Sequence, residues 1–122
     1  MSDLARLEFT VRDDVVIARL SGEVDLSNAS EVGDEMTGAV PNSALGLVLD
    51  LTATEYLDSS GVHLVFELAE RLHRRQQQLR VVVPAGAPIR RVLRIVELDD
   101  TVPVVGSVDE AVAETRAGGG AA

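Results

Sequence analysis

The strongest constraint on the fold is a short stretch near the middle of the chain. Leu45-Gly46-Leu47-Val48-Leu49-Asp50-Leu51 is a near-continuous apolar run of strand length. Such a run suits a strand covered on both faces, as in the middle of a sheet. Downstream, Val62, Val65, Phe66, Ala69 and Leu72 recur at helical spacing and form one apolar stripe. The step between the two is Leu57-Asp58-Ser59-Ser60-Gly61-Val62, which sets a carboxylate and two hydroxyls at an expected helix start. Backbone N–H groups there lack intrahelical partners and carry partial positive charge, so they take either a capping oxygen or a phosphate.

The rest of the chain arranges itself around that step. Alternation through Leu7, Phe9 and Val11 predicts a half-buried strand over 4–11, and Val15 to Leu20 a second one. Arg12-Asp13-Asp14 between them is turn chemistry for a hairpin. Ser27 and Asn28, with Glu31, are cap types for a helix whose inner face is Ala29, Val32, Met36 and Ala39, closed by Pro41. After the central strand comes a predicted loop through Tyr56, then a helix from about Ser60 to Arg75 with Glu67/Arg71 and Glu70/Arg74 on its wet side. Leu79 to Val83 reads as a strand. Pro88, Ile89, Val92, Leu93 and Val96 read as a helix. Val102 to Val105 reads as a strand, at a sheet edge because of Pro103. Ser107 and Glu110 form a capping pair for a last helix. The order ββαβαβαβα implies an α/β fold with a mixed sheet of four to five strands and about four helices mainly on one side. Residues 5–115 are expected to form one domain, and 116–122 a disordered tail.

Charge and composition narrow the chemistry. A net charge of −9 argues against a nucleic-acid partner, which needs cations to displace counterions. The absence of cysteine removes disulfides, thiolate metal sites and a cysteine nucleophile. No apolar stretch approaches the roughly 20 residues of a membrane span, and Met1 to Arg6 lacks the pattern of a signal peptide. A cytoplasmic location without membrane insertion is the expectation. Seven arginines, Arg71, Arg74, Arg75, Arg80, Arg90, Arg91 and Arg94, lie in one stretch, read either as a solvated helix surface or as a face for an acidic partner.

Catalytic patterns do not emerge. There is no G-x-S-x-G elbow, Walker loop, G-x-G-x-x-G fingerprint or H-E-x-x-H motif. His63 lies four residues from Ser59, but that spacing supplies no third orienting group for a nucleophile pair. His63 is expected beside Glu67, Asp50 as a polar strand end, and Asp58 as a turn or N-cap residue. No enzyme activity, metal or cofactor is expected. For Ser59 and Ser60, helix capping and a regulatory hydroxyl both remain open on the residues alone.

Two motifs carry a resemblance. Leu20-Ser21-Gly22-Glu23-Val24-Asp25 is the first; Leu47-Val48-Leu49-Asp50-Leu51 followed by Tyr56-Leu57-Asp58-Ser59-Ser60-Gly61-Val62 is the second. With the order of elements over about residues 5–115, the chain resembles a STAS domain of the anti-sigma factor antagonist type, the regulators of bacterial partner switching. The resemblance implies a switch. The unphosphorylated protein would bind an anti-sigma factor that is also a serine kinase and so release a sigma factor. Phosphorylation would end the binding, and a PP2C-type serine phosphatase would reset it. The family's acceptor aligns with Ser59, with Ser60 as the alternative and its hydroxyl expected to cap the helix. Asp25, Asp58, Ser59, Ser60, Gly61 and His63 are the implied partner-binding residues. The chain departs from the family at His63, a position that is often small there. A monomer or weak dimer is expected. The rival reading is an unphosphorylated STAS scaffold or an accessory subunit of a signalling complex or membrane transporter.

Overall fold

A computed structural model describes residues 4–87, 89–90 and 102–119. Two antiparallel strands open the chain, β1 (Ala5–Arg12) and β2 (Val15–Val24). Only Asp13 and Asp14 separate them, with φ of 52° and 65°. Two successive residues at positive φ give the tight turn whose twist matches a hairpin, and Asp tolerates that conformation. Helix α1 (Ala29–Gly38) then leads to β3 (Gly46–Asp50), β4 (Thr54–Leu57), helix α2 (Ser59–Arg74) and β5 (Gln78–Val82). The described chain closes with β6 (Val104–Val105) and helix α3 (Val108–Gly119).

The sheet runs in the order β1-β2-β3-β5-β6, with β4 beside the far end of β2. β3 pairs parallel with β2 on one side and β5 on the other, and each of its five residues is buried. The apolar run thus occupies the position expected of it. Val16, Ala18, Leu20, Leu47, Leu49 and Val81 point to one face, where they pack with Met36 of α1 and Val65, Leu68 and Leu72 of α2. Val15, Val48 and Val82 point to the other, under Ala111 and Val112 of α3. Two of the three described helices therefore share a face. The third covers the opposite side, because the alternating side chains of buried parallel strands leave two apolar faces to cover.

Two local expectations are corrected, and a third falls largely outside the described residues. The loop expected through Tyr56 contains β4, a four-residue strand parallel to β2 with Val24 opposite Leu57. Only Thr54 and Leu57 of it are buried, so no apolar alternation marked it. The Thr54 hydroxyl donates to the Leu20 carbonyl at 2.7 Å, a tertiary contact that holds the strand in place. Helix α3 continues to Gly119, so residues 116–119 of the expected tail are helical. Of the helix expected around Pro88 to Val96, Ile89 and Arg90 are helical, and the remainder lies outside the described residues.

β2 pairs with β3 over its first half and with β4 over its end, and the register shifts between Gly22 and Glu23. Gly22 has φ +90°, and a Cβ there would fall 2.1 Å from the Leu4 carbonyl oxygen. Only glycine accepts both that conformation and that approach. This irregularity directs the end of β2 toward the start of α2.

Candidate partner-binding site

The site forms where the ends of β2 and β4 meet α2. Asp58, extended at ψ −171°, is the N-cap of α2. Its Oδ1 accepts from the Ser60 N–H at 2.8 Å and the Gly61 N–H at 3.0 Å. Its Oδ2 accepts from the Leu26 N–H at 3.2 Å. Its own N–H donates to the Val24 carbonyl at 3.1 Å. One residue thereby satisfies free donors of the helix and fastens the loop after β2 to them.

The cap role expected of the Ser60 hydroxyl falls to Asp58 instead. A capping oxygen must come from a residue that precedes the helix, and Ser60 is already its second residue. Ser60 is half-buried and Ser59 exposed, so Ser59 is the hydroxyl that faces out, as expected. Gly61 is buried beneath them. A Cβ there would stand 3.1 Å from the Val24 carbonyl oxygen and 3.1 Å from Leu57 Cδ2, closer than side chains ordinarily pack.

The loop from Asp25 to Asn28 is internally braced. Asp25 Oδ1 accepts from the Ser27 backbone N–H at 2.9 Å and from the Ser27 hydroxyl. The Ser27 hydroxyl, followed by its backbone N–H, holds the Asp25 carboxyl below the usual carboxylate range. Asn28, although it precedes α1, makes no side-chain cap. Its side chain instead accepts from the Asp25 N–H at 2.9 Å and donates to the Glu23 carbonyl at 3.0 Å. The capping pair expected of Asn28 and Glu31 is replaced by these ties, because a buried Asn can satisfy the backbone of the turn before it.

Asp25, Asp58, Ser59, Ser60, Gly61 and His63 thus meet on one end of the molecule. His63 Nε2 stands 3.1 Å from Glu67 Oε1, as expected of that neighbour, and both side chains are more than half exposed. A groove of about 280 Å³ runs between α1 and α2, with Ser30 and Asp34 on one wall and Ser60, His63 and Glu67 on the other. Leu26, 81% exposed, stands at its mouth. Leu26 and the groove were not anticipated. The signal for Leu26 was present: an apolar residue inside a polar turn, out of phase with the stripe of α1.

Other charged residues serve turns and the packing of elements. Asp50 accepts from the Thr52 N–H at 3.0 Å, a turn at the end of β3. Arg75 donates to the Val40 carbonyl and Asn42 Oδ1, each at 2.8 Å. Arg90 donates to the Val83 carbonyl at 2.9 Å, and Arg80 pairs with Glu114 at 3.3 Å. These three members of the arginine stretch join elements, while Arg71 and Arg74 are exposed. Arg74 lies 3.8 Å from Glu70, as expected. Arg71 donates to Thr37 Oγ1 of α1 at 3.4 Å, and its expected partner Glu67 is taken by His63. Arg91 and Arg94 lie outside the described residues. Among the described residues no helix is long and apolar enough to cross a membrane.

Comparison with known proteins agrees with this fold. The anti-sigma-F factor antagonist RsfB of Mycobacterium tuberculosis is 28% identical over 104 residues, 85% of this chain and 84% of that protein. The crystal structure of an anti-sigma factor antagonist from Mycobacterium paratuberculosis superposes with a TM-score of 0.80 at 28% identity, covering 92% of this chain and 94% of that one. The Bacillus cell fate determinant SpoIIAA in its phosphorylated form has the same fold, with a TM-score of 0.61 at 22% identity over 90% of this chain and 97% of that one. The STAS domain family matches residues 6–111. With its central buried strand and the capped step into α2, the chain belongs to the STAS domain family.

Proposed function

We propose that this protein is an anti-sigma factor antagonist, switched by phosphorylation of Ser59. In the unphosphorylated form, the surface formed by Asp25, Leu26, Asp58, Ser59, Ser60, Gly61 and His63 binds an anti-sigma factor that is also a serine kinase, and a sigma factor is released. The kinase transfers the γ-phosphoryl group of ATP to the Ser59 hydroxyl, giving ADP and a proton, and a PP2C-type phosphatase hydrolyses the ester. The names of the mycobacterial relatives support the antagonist role. The role is that of a binding switch rather than a catalyst.

The observation that carries the reading is the position of Ser59: exposed, first in α2, directly after a carboxylate already committed to the helix and to the neighbouring loop. A phosphate there adds about −1.5 to −2 charges. The helix N-terminus tolerates that charge, so the fold need not change. A partner surface complementary to the unmodified site meets instead a bulky dianion beside Asp58 and Asp25. A loss of roughly 3 kcal/mol of binding is about a hundredfold in affinity, enough to exchange partners.

The test is intact mass after incubation with ATP and a soluble extract of the host, for wild type and Ser59→Ala. One added phosphate on wild type, absent from the variant, is the expected result. Labelling that survives in Ser59→Ala but not in Ser60→Ala moves the acceptor to Ser60. No phosphate on either protein, with the kinases of the extract shown to be active, replaces the switch with the unphosphorylated scaffold.

A further inference from the structure

His63 stands one helical turn beyond Ser59, and the Cβ atoms of such i,i+4 neighbours are about 5–6 Å apart. Side chains of a helix lean toward its N-terminus, so a residue at 63 covers the turn that bears Ser59 and Ser60. Glu67 is the next residue of the same stripe and holds His63 Nε2 at 3.1 Å. Ser59, His63 and Glu67 therefore follow one another along α2 at a spacing of four. The Glu67 carboxylate holds one side of the imidazole, and the position of Ser59 is one turn away on its N-terminal side.

We propose that His63 is a positioning residue for a phosphate on Ser59: its protonated ring bridges Glu67 and the phosphate, which makes the phosphorylated state sensitive to pH. This rests on Ser59 being the acceptor. A neutral imidazole has a single N–H, whereas the protonated ring has two and serves two anions at once. With Nε2 directed to Glu67, Nδ1 is the second donor. The charged groups around the ring are Glu67 and, one turn further, Arg71 on α2, Asp34 across the groove on α1, and Asp58 at the cap. Three of these four are acidic, and a phosphate on Ser59 adds about two further negative charges one turn from the ring. Histidine is the side chain whose charge changes near neutral pH, and a dianion one turn away draws that change upward. The held phosphate is partly neutralised at mildly acidic pH and fully charged at alkaline pH. The contrast between the two binding states of the switch then grows as pH rises.

The test is made on the full chain with phosphoserine installed at position 59 during synthesis, so that it depends on no kinase. NMR titration of the imidazole resonances compares this protein with the unphosphorylated one, with His73, ten residues further along the sequence, as the internal reference. The expected result is a His63 midpoint raised by about one pH unit, with His73 unmoved. In the same protein carrying His63→Gln, the phosphorus resonance titrates at higher pH than with His63 present, because the neighbouring cation is gone. A His63 midpoint that moves no further than that of His73, or a phosphorus titration unchanged by His63→Gln, overturns the inference. Failure of Ser59 to become labelled by kinases is a separate result, read from the mass assay, and it removes the biological setting rather than the contact.

Discussion

The two oxygens of Asp58 hold different parts of the chain: Oδ1 takes the Ser60 and Gly61 N–H groups, and Oδ2 takes the N–H of Leu26, 32 residues earlier. The start of α2 and the loop after β2 are thereby set against each other by one carboxylate. Both motifs that carry the family resemblance converge on it. Replacement of Asp58 by Ala removes the cap and the tie together. The expected loss is about 1–2 kcal/mol of stability, read from urea unfolding. Asp58→Asn retains an accepting oxygen for the helix and is expected to lose less than half as much.

Gly22 shapes the same region from below. Its φ of +90° and the 2.1 Å that would separate a Cβ from the Leu4 carbonyl oxygen leave no room for a side chain. Gly22→Ala is expected to cost about 2 kcal/mol or more, the combined penalty of a strained backbone and a steric clash. Thermal unfolding measures it. Gly38→Ala serves as the contrast, because nothing stands within 4 Å of a Cβ there.

Leu26 separates binding from folding. At 81% exposure its side chain contributes little to the core, while its backbone is held by Asp58. Leu26→Ala is expected to change stability by less than about 0.5 kcal/mol. It is expected to weaken binding of the anti-sigma partner by tenfold or more, as loss of a pre-positioned apolar anchor does. Calorimetric titration against that partner, beside an unfolding curve, separates the two effects.

Asp25 gives a pH dependence of known sign. Its carboxyl is held below the ordinary value of 3.8 by the Ser27 hydroxyl and backbone N–H. The folded state then binds fewer protons than the unfolded state in that range, so the contribution of Asp25 is fully present above the ordinary value. It is lost as pH falls through the depressed value. Across neutral pH Asp25 remains charged and leaves partner binding unaltered. A side-chain NMR titration should place its midpoint under 3.8, and Ser27→Ala should return it toward that value.

The elements with their own periodicity were legible before any coordinates. β3 is apolar throughout because it is covered twice, and α2 shows an apolar stripe because one of its faces packs on the sheet. The exposed hydroxyl of Ser59 and the partnership of His63 with Glu67 also follow from local spacing along one helix. β4 was not legible. Its pairing with β2 depends on Thr54 reaching the Leu20 carbonyl, a contact 34 residues apart that no local pattern records.

The sequence by itself determined the hairpin, the buried central strand and the position of the step into α2, because each rests on periodicity, turn chemistry or capping residues within a few positions. The N-cap role of Asp58 was legible as well; tertiary structure alone decided that the same carboxylate holds Leu26. It also decided that α1 and α2 leave a groove with His63 on its wall and that α3 covers the opposite face of the sheet. Those outcomes depend on contacts between segments tens of residues apart, whose geometry exists only once the sheet has brought them together.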